Sequence, residues 1–361
     1  MSTADEPRVP WRLGRRPALD GVRGLAVLLV LVGHAMPPEM ASAAVGVNLF
    51  FVLSGFLITS LLWEEWQGTG RLDIHAFYKR RIRRLIPALV VMLGVTMVSM
   101  GLIGQAGQGL FYGLAAASYA GNLVMATGQW LGPMSHTWSL AIEEQFYLLW
   151  PLILLPAIRR VRPALLMGIL ATGVIAVQIA RPFLWATGAS FERVSFATDL
   201  QADGLLLGCA LAVLMHFRTI RVPQLAAPIA FGTLLTLTFV SPAGLHLALG
   251  NSLAVLASGL LVLTLVSPAA ATDRIFTNTW LRRLGLISYG LYLWHYPVMW
   301  HLGFFDERPH PGLATAALGI AVTLAAAMAS YLFVERRFMR PKSPPVVPRT
   351  VPAPVSLPAA A

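Results

Sequence analysis

Residues 23–34 read RGLAVLLVLVGH, an apolar stretch with an arginine at one end and a histidine at the other. The ten residues between Arg23 and His34 are all Gly, Ala, Val or Leu. Because an α-helix turns about 100° per residue, eleven residues advance roughly 1100°, which is about 20° past three full turns. A helix therefore puts both side chains on one face, about 16 Å apart along its axis. Ionisable groups at such a depth are rare and usually face a cavity.

Apolar runs of this kind recur along the whole chain. Hydrophobic residues make up 57% of the 361 residues and charged residues 12%, about half the charged share of a soluble domain. One water-soluble core cannot bury this much apolar surface, whereas runs of about twenty apolar residues have the length of a bilayer-spanning helix. The composition predicts an all-α integral membrane protein in contact with lipid. Its single cysteine, Cys209, excludes an internal disulfide.

The basic residues predict how the chain crosses the membrane. Lys and Arg collect on cytoplasmic loops, which explains the formal net charge of +11 without a nucleic-acid partner. Every basic cluster can be cytoplasmic if the glycine-rich run at 108–127 is re-entrant or interfacial. We therefore expect about ten transmembrane helices in a single bundle, with the N- and C-termini in the cytoplasm. The predicted spans lie at about 24–40, 46–63, 85–104, 138–158, 164–180, 200–217, 225–241, 247–267, 286–304 and 313–334.

Both ends of the chain are expected to lie outside this bundle. Residues 1–18 form a basic cytoplasmic leader, and the Pro-rich residues 341–361 predict a disordered cytoplasmic tail. Residues 19–340 then form one transmembrane domain. The start also resembles a cleaved signal peptide, but a histidine within the apolar core and the second apolar run that follows at once argue against cleavage.

Five blocks of the sequence resemble one known family. In chain order they are LDGVRGLAVLLVLVGH, NLFFVLSGFLITSLL, YKRRIRRLIPAL, SHTWSLAIEEQFYLLWPLIL and SYGLYLWHYPV. Together they are similar to the acyltransferase-3 family of membrane-bound O-acyltransferases, which modify cell-surface polysaccharide, O-antigen, exopolysaccharide and macrolides. The resemblance implies transfer of an acyl group, often acetyl, from acyl-coenzyme A (acyl-CoA) to a hydroxyl of a carbohydrate or lipid-linked glycan. It implies a plasma-membrane location, acyl-CoA as co-substrate and no tightly bound cofactor.

Acyl transfer from a thioester needs a base for the attacking hydroxyl. His34 matches the histidine of the family signature, and a pKa near 6.5 suits that task. Glu143 is expected to orient or charge-stabilise His34, and Glu144 is the alternative residue for this role. In a second interpretation, both carboxylates lie in water at the outer boundary of the membrane. His136, just before the same helix, is either a second pocket histidine or an interfacial residue.

The block YKRRIRRLIP predicts a donor site. On a helix Arg84 lies at i,i+3 from Arg81 and at i,i+4 from Arg80, so one face is strongly cationic. Coenzyme A carries a pyrophosphate and a ribose phosphate, which arginine can bind bidentately. The resemblance favours Arg81 and Arg84, which fit the family spacing ending at Pro87, and we expect Arg23 to guide the donor. The alternative is a cluster that only fixes the topology.

Weaker candidates lie in three other helices. Asp203 fits a family position in the pocket and shares a helix face with Asp199, which alternatively caps the helix. Tyr292 and His295 lie one turn apart, and an aromatic belt does not explain the histidine near mid-membrane. Ser54, in FVLSGF, is more simply a helix-packing point than a nucleophile. No spacing of His, Cys, Asp or Glu suggests a metal site.

A transporter is the alternative function. About ten spans and buried ionisable residues also suit an exporter of a glycan or of another small solute. Many transporters carry inverted repeats with broken helices in matching halves, and the sequence shows no such repeat. The sequence therefore favours the enzyme.

Overall fold

The computed structural model describes residues 11–37, 42–218, 220, 222–223, 225–240, 249–267, 273–305 and 311–339. Over this part of the chain the regular structure is entirely helical, so the predicted all-α class is confirmed. The predicted tail and most of the predicted leader lie outside the described residues. A 3₁₀ turn at Gly132–Met134 and a π-helical turn at Tyr331–Glu335 accompany the α-helices. The α-helices are α1 (Pro17–Ala35), α2 (Ala44–Thr69), α3 (Ile74–Leu102), α4 (Ala106–Ala117), α5 (Gly121–Ala126), α6 (Thr137–Arg160), α7 (Pro163–Ala186), α8 (Phe191–Phe196), α9 (Thr198–Gln201), α10 (Asp203–Phe217), α11 (Ala226–Val240), α12 (Asn251–Val266), α13 (Asp273–Phe276), α14 (Thr279–Leu286), α15 (Ser288–His301), α16 (Leu313–Ser330) and α17 (Arg336–Met339).

The long helices are those of a membrane protein. Within the described residues, six helices are long and apolar enough to cross a bilayer, namely α1, α2, α3, α6, α7 and the continuous helix Leu313–Met339. The predicted count of about ten is not confirmed. The helices α10, α11, α12 and α15 contain only 15, 15, 16 and 14 residues, and a span needs about 17–25.

The run at 108–127 is not one continuous helix. It divides into α4 and α5, of 12 and 6 residues. Between them Tyr119 has a φ of 53°, the left-handed conformation that ends a helix. Neither piece has the length of a span, which agrees with the expectation that this run is re-entrant or interfacial.

The outer surface of the bundle is apolar. Large hydrophobic side chains point outward from α3, α6 and α7, and examples are Val98 (64% exposed), Leu152 (51%) and Ile179 (64%). A soluble monomer rarely exposes such a surface. Contact with lipid chains explains it.

Helix α1 lies in the interior and is packed against α2, α14 and α15. A Cβ atom on Gly24 would lie only 2.0 Å from the carbonyl oxygen of Leu281, so α1 can approach α14 this closely only with glycine at that position. This contact places the neighbouring Arg23 beside the start of α15, where its Nη2 donates a hydrogen bond to Ser288 Oγ at 3.3 Å.

Helices α1 and α2 run antiparallel. The backbone N–H of Leu13, just before α1, donates to the carboxylate of Glu64 near the end of α2. At the other end, Gly33 packs against Ala43, which directly precedes α2. Arg23 and His34 therefore lie toward opposite ends of the bundle.

Candidate functional site

Two cavities lie near the two ends of α1. The first, here the arginine cavity, has a volume of about 480 Å³ and is lined by Arg23, Arg80, Arg81, Arg84, Glu143, Glu144 and Tyr147 among others. The second, here the histidine cavity, has a volume of about 390 Å³ and is lined by His34, His136, Asn48, Trp130, Tyr296 and Phe305 among others. The arginine and the histidine of RGLAVLLVLVGH thus open into different cavities.

The cationic block on α3 faces the arginine cavity, as its spacing predicts. Four guanidinium groups line this cavity, those of Arg23, Arg80, Arg81 and Arg84. The Arg81 guanidinium lies 3.8 Å from the centroid of the Tyr147 ring, a cation–π contact that holds it in place. Arg83 belongs to the same block but lines neither cavity. Converging arginines of this kind can bind a phosphorylated ligand.

Glu143 and Glu144 both line the arginine cavity, although adjacent residues on a helix point about 100° apart. Ser54 Oγ donates to Glu143 Oε1 at 2.7 Å and accepts from the Tyr147 hydroxyl at 2.8 Å. The expected contact between Glu143 and His34 is not formed, because the carboxylate and the imidazole lie in different cavities. Ser54 is therefore more than a packing point, since it joins a carboxylate and a tyrosine in the cavity wall.

His34 is held as one tautomer. Its Nδ1 lies 3.1 Å from the carbonyl oxygen of Val30, one turn earlier in α1. Because a carbonyl can only accept, Nδ1 carries the hydrogen and Nε2 keeps its lone pair. The rings of Tyr296 and Phe305 pack edge-on against the imidazole, with centroids 5.2 and 5.8 Å away. This tautomer suits a general base.

Two further histidines adjoin His34. The His295 ring lies 5.0 Å from that of His34, and the His136 ring lies 5.3 Å from that of His295. His136 lines the cavity at 2% exposure. His295 is fully buried behind the other two, and its Nδ1 donates to the Tyr292 carbonyl at 2.6 Å. Within the described residues, no group of three His, Cys, Asp or Glu side chains could hold a metal ion.

The two cavities meet at a thin wall. Val47 on α2 and Tyr292 on α15 line both of them. The Tyr292 hydroxyl hydrogen-bonds Ser139 Oγ and donates to the carbonyl oxygen of His136 at 3.1 Å. The ring of Phe50 packs edge-on against Tyr292, with the centroids 6.1 Å apart.

The rest of the histidine cavity is uncharged and combines aromatic, aliphatic and neutral polar side chains. Asn48 Nδ2 donates to Asn251 Oδ1 at 3.0 Å in its wall. Trp130, 45% exposed, packs edge-on against Phe196 with the centroids 5.4 Å apart. Among the residues that the structure places around this cavity, none is Asp, Glu, Lys or Arg. Such a lining suits an uncharged ligand with many hydroxyl groups.

Asp203 lines neither cavity. Its Oδ1 lies 2.6 Å from Nη2 of Arg181, both side chains are buried, and Gln178 donates to Oδ2 at 2.8 Å. Asp199 lies on a separate short helix and forms an exposed ion pair with Arg193, and the hydrogen bond from Arg193 lowers the pKa of the Asp199 carboxyl. The sequence prediction misses Arg181. The sequence feature that could have revealed Arg181 is an ionisable side chain directly after an apolar run.

Comparison with known proteins agrees with the five sequence blocks. A family model described as an acyltransferase domain matches residues 16–332. The peptidoglycan O-acetyltransferase OatA of Listeria monocytogenes is 34% identical over 346 residues, which are 88% of this chain and 55% of the relative. YrhL of Bacillus subtilis, provisionally named a peptidoglycan O-acetyltransferase, is 32% identical over 348 residues, 89% of this chain and 54% of the relative.

The chain spans about half the length of the curated relatives it matches. No solved structure matches it. The family model covers both ends of α1, the arginines of α3 and all of α15, and hence most of the walls of the two cavities. The resemblance seen in the sequence is confirmed, and the chain belongs to the acyltransferase-3 family.

Proposed function

We propose that this protein transfers an acetyl group from acyl-CoA, bound in the arginine cavity, to a hydroxyl of a cell-wall polysaccharide in the histidine cavity. The observation that carries the proposal is the shared wall. A cavity suited to phosphates and a cavity that contains a base meet at Val47 and Tyr292. The names of the relatives support acetyl as the acyl group and peptidoglycan as the class of acceptor.

The arginine cavity binds the donor in this proposal. Guanidinium groups match the bidentate geometry of the pyrophosphate and ribose phosphate of coenzyme A. The Arg80 side chain is 64% exposed, whereas those of Arg84 and Arg23 are half-buried, so positive charge extends from the surface inward. A volume of about 480 Å³ is typical of a ligand cavity.

His34 performs the proton transfer. The acceptor hydroxyl donates its proton to Nε2 of His34 while the hydroxyl oxygen attacks the thioester carbonyl carbon. The carbon–sulfur bond then breaks, and the leaving thiolate of coenzyme A takes the proton from the imidazolium. A ring N–H of His136, which lines the same cavity as His34, is the proposed donor for the developing oxyanion. No covalent enzyme intermediate is needed.

The histidine cavity receives a sugar. Its neutral aromatic and amide walls can pack against a sugar ring and hydrogen-bond its hydroxyls without repelling or attracting charge. Trp130 lines this cavity and is partly exposed, so its ring can stack on a sugar ring.

The proposal has an orientation in the plasma membrane. Arg159, near the end of α6, lies 5.1 Å over the ring of Trp66, near the end of α2. Because the end of α2 also contacts Leu13, Arg159 lies at the end of the bundle where α1 begins, as do Arg15 and Arg16. This end is cytoplasmic by the positive-inside rule, and both termini then lie in the cytoplasm. Single cysteines at positions 70, 160 and 278, in a Cys209→Ala background, should be labelled from the cytoplasmic side. Labelling of position 160 from outside would contradict this orientation.

A direct assay tests the activity. The full chain, purified in nanodiscs, is incubated with radiolabelled acetyl-CoA and soluble glycan fragments of peptidoglycan. We expect a base-labile acetyl ester on the glycan, detected by mass spectrometry, and stoichiometric release of free coenzyme A. Absence of any ester with acetyl-, propionyl- and butyryl-CoA would contradict the proposed activity.

A further inference from the structure

We infer that Val47, together with Tyr292, selects the transferred acyl group by its size; this inference rests on the proposed function. Val47 and Tyr292 are each 6% exposed, and both line both cavities. With the phosphates of the donor in the arginine cavity and the base in the histidine cavity, the acyl group must lodge at the wall between them. The side chains of this wall therefore contact the acyl group during transfer.

The wall cannot easily move aside. Gly46 directly precedes Val47, and a Cβ atom on Gly46 would lie 2.4 Å from the carbonyl oxygen of Ala26. Helices α1 and α2 are therefore already in backbone contact at this level. On the opposite side, Tyr292 is fixed by two hydrogen bonds to Ser139 and to the backbone of His136. Because packed interiors deform little, the gap beside Val47 has a defined width.

A defined width discriminates between acyl groups. Each methylene beyond acetyl must occupy space beside the γ-methyl groups of Val47. One methylene too many or too few in an apolar pocket changes kcat/KM by about 10- to 200-fold. Longer acyl groups are then rejected at the wall and not where the phosphates bind, so longer donors should bind with a similar Kd yet react slowly. The wall thus limits the reaction to short acyl groups.

The test measures donor selectivity. Acetyl-, propionyl- and butyryl-CoA are compared as donors for the wild type, Val47→Ala and Val47→Ile. Val45→Ala is the matched control, because Val45 is a fully buried valine of the same helix that lines neither cavity. Val47→Ala should raise the ratio of kcat/KM for propionyl-CoA over acetyl-CoA at least about tenfold. Val47→Ile should lower this ratio, and Val45→Ala should leave it unchanged.

The outcomes separate this inference from the activity itself. If the wild type transfers acetyl but both Val47 variants keep the wild-type ratio, the inference is overturned and the proposed function stands. A ratio that rises equally in Val45→Ala also overturns it, because general loosening of α2 then explains the change. If Val47→Ala does not insert into the membrane, Val47→Ile alone decides. A lower ratio of kcat/KM for propionyl-CoA over acetyl-CoA than in the wild type supports the inference, and an unchanged or higher ratio overturns it. If the wild type uses none of the three donors, the proposed function is overturned, and this inference with it.

Discussion

Arg23 and His34 lie eleven residues apart on α1, and their side chains open into two different cavities. Eleven residues span about 16 Å of helix. In the proposed function, one helix therefore carries a cation for the donor and the base for the acceptor at a fixed separation. A shift of one residue in this spacing would rotate His34 by about 100° relative to Arg23, away from the histidine cavity that it lines.

The first prediction concerns the base. His34→Ala should lower kcat by at least about 10²-fold, because it removes the proposed general base. It should leave the Kd for acyl-CoA unchanged, because the donor is proposed to bind in the other cavity. Turnover and calorimetric donor binding are measured on the same preparation, with the exposed His75→Ala as control. A variant that keeps more than about a tenth of the turnover would refute the assignment.

The second prediction concerns the donor phosphates. Arg81→Ala and Arg84→Ala should each raise the KM for acyl-CoA about 10- to 100-fold, as expected for a hydrogen bond to a charged group. The KM for the acceptor should change little. Lysine at either position should restore the KM for acyl-CoA only in part, because an ammonium group cannot reproduce the two parallel hydrogen bonds of a guanidinium group. Arg83→Ala is the control, since Arg83 lines neither cavity; equal effects at all three positions would favour a role in topology alone.

The third prediction concerns the acceptor. Trp130→Ala should raise the KM for the glycan about 3- to 10-fold, the value of one aromatic contact, while the KM for acyl-CoA stays unchanged. Trp130→Phe should restore most of the affinity, because it keeps a flat ring. Trp280→Ala is the matched control, because Trp280 is 73% exposed and lines neither cavity. If both alanine variants bind the glycan like the wild type, Trp130 serves only the membrane interface.

The fourth prediction compares two ion pairs of equal length. The Arg181–Asp203 and Arg193–Asp199 pairs both have an N···O distance of 2.6 Å, but only the first is buried. Asp203→Ala leaves a buried, uncompensated guanidinium and should cost about 3–5 kcal/mol. Asp199→Ala should cost about 0–1 kcal/mol. Thermal unfolding in one detergent measures both. A normal Tm with lost activity in Asp203→Ala would instead show a direct role in the reaction.

Local patterns predict much of this molecule. The apolar run with its two ionisable ends is one helix, α1, because nothing in Arg23 to His34 interrupts it. The spacing of the arginines on α3 predicts their common cavity, because i,i+3 and i,i+4 neighbours share a helix face. The five sequence blocks identify the family, which the family model confirms.

Contacts between segments that are distant in the sequence could not be predicted. Glu143 pairs with Ser54, 89 residues away, and no periodicity reveals such a contact. Asp199 and Asp203 do not share a helix face, because α9 ends at Gln201 and α10 begins at Asp203. Val47 is one apolar residue among many, and only its place between two cavities distinguishes it. Hydropathy also does not show where an apolar run breaks into short helices, as the run at 108–127 does between α4 and α5.

The most direct test of acyl transfer from one cavity to the other uses sealed inverted vesicles. Acyl-CoA is added only to the exposed cytoplasmic face, and soluble glycan fragments are confined to the lumen. We expect acetylated glycan in the lumen with the wild type, much less with Arg23→Ala, and none with His34→Ala. Product that forms only when the donor and the glycan share the cytoplasmic face would contradict transfer through the bundle.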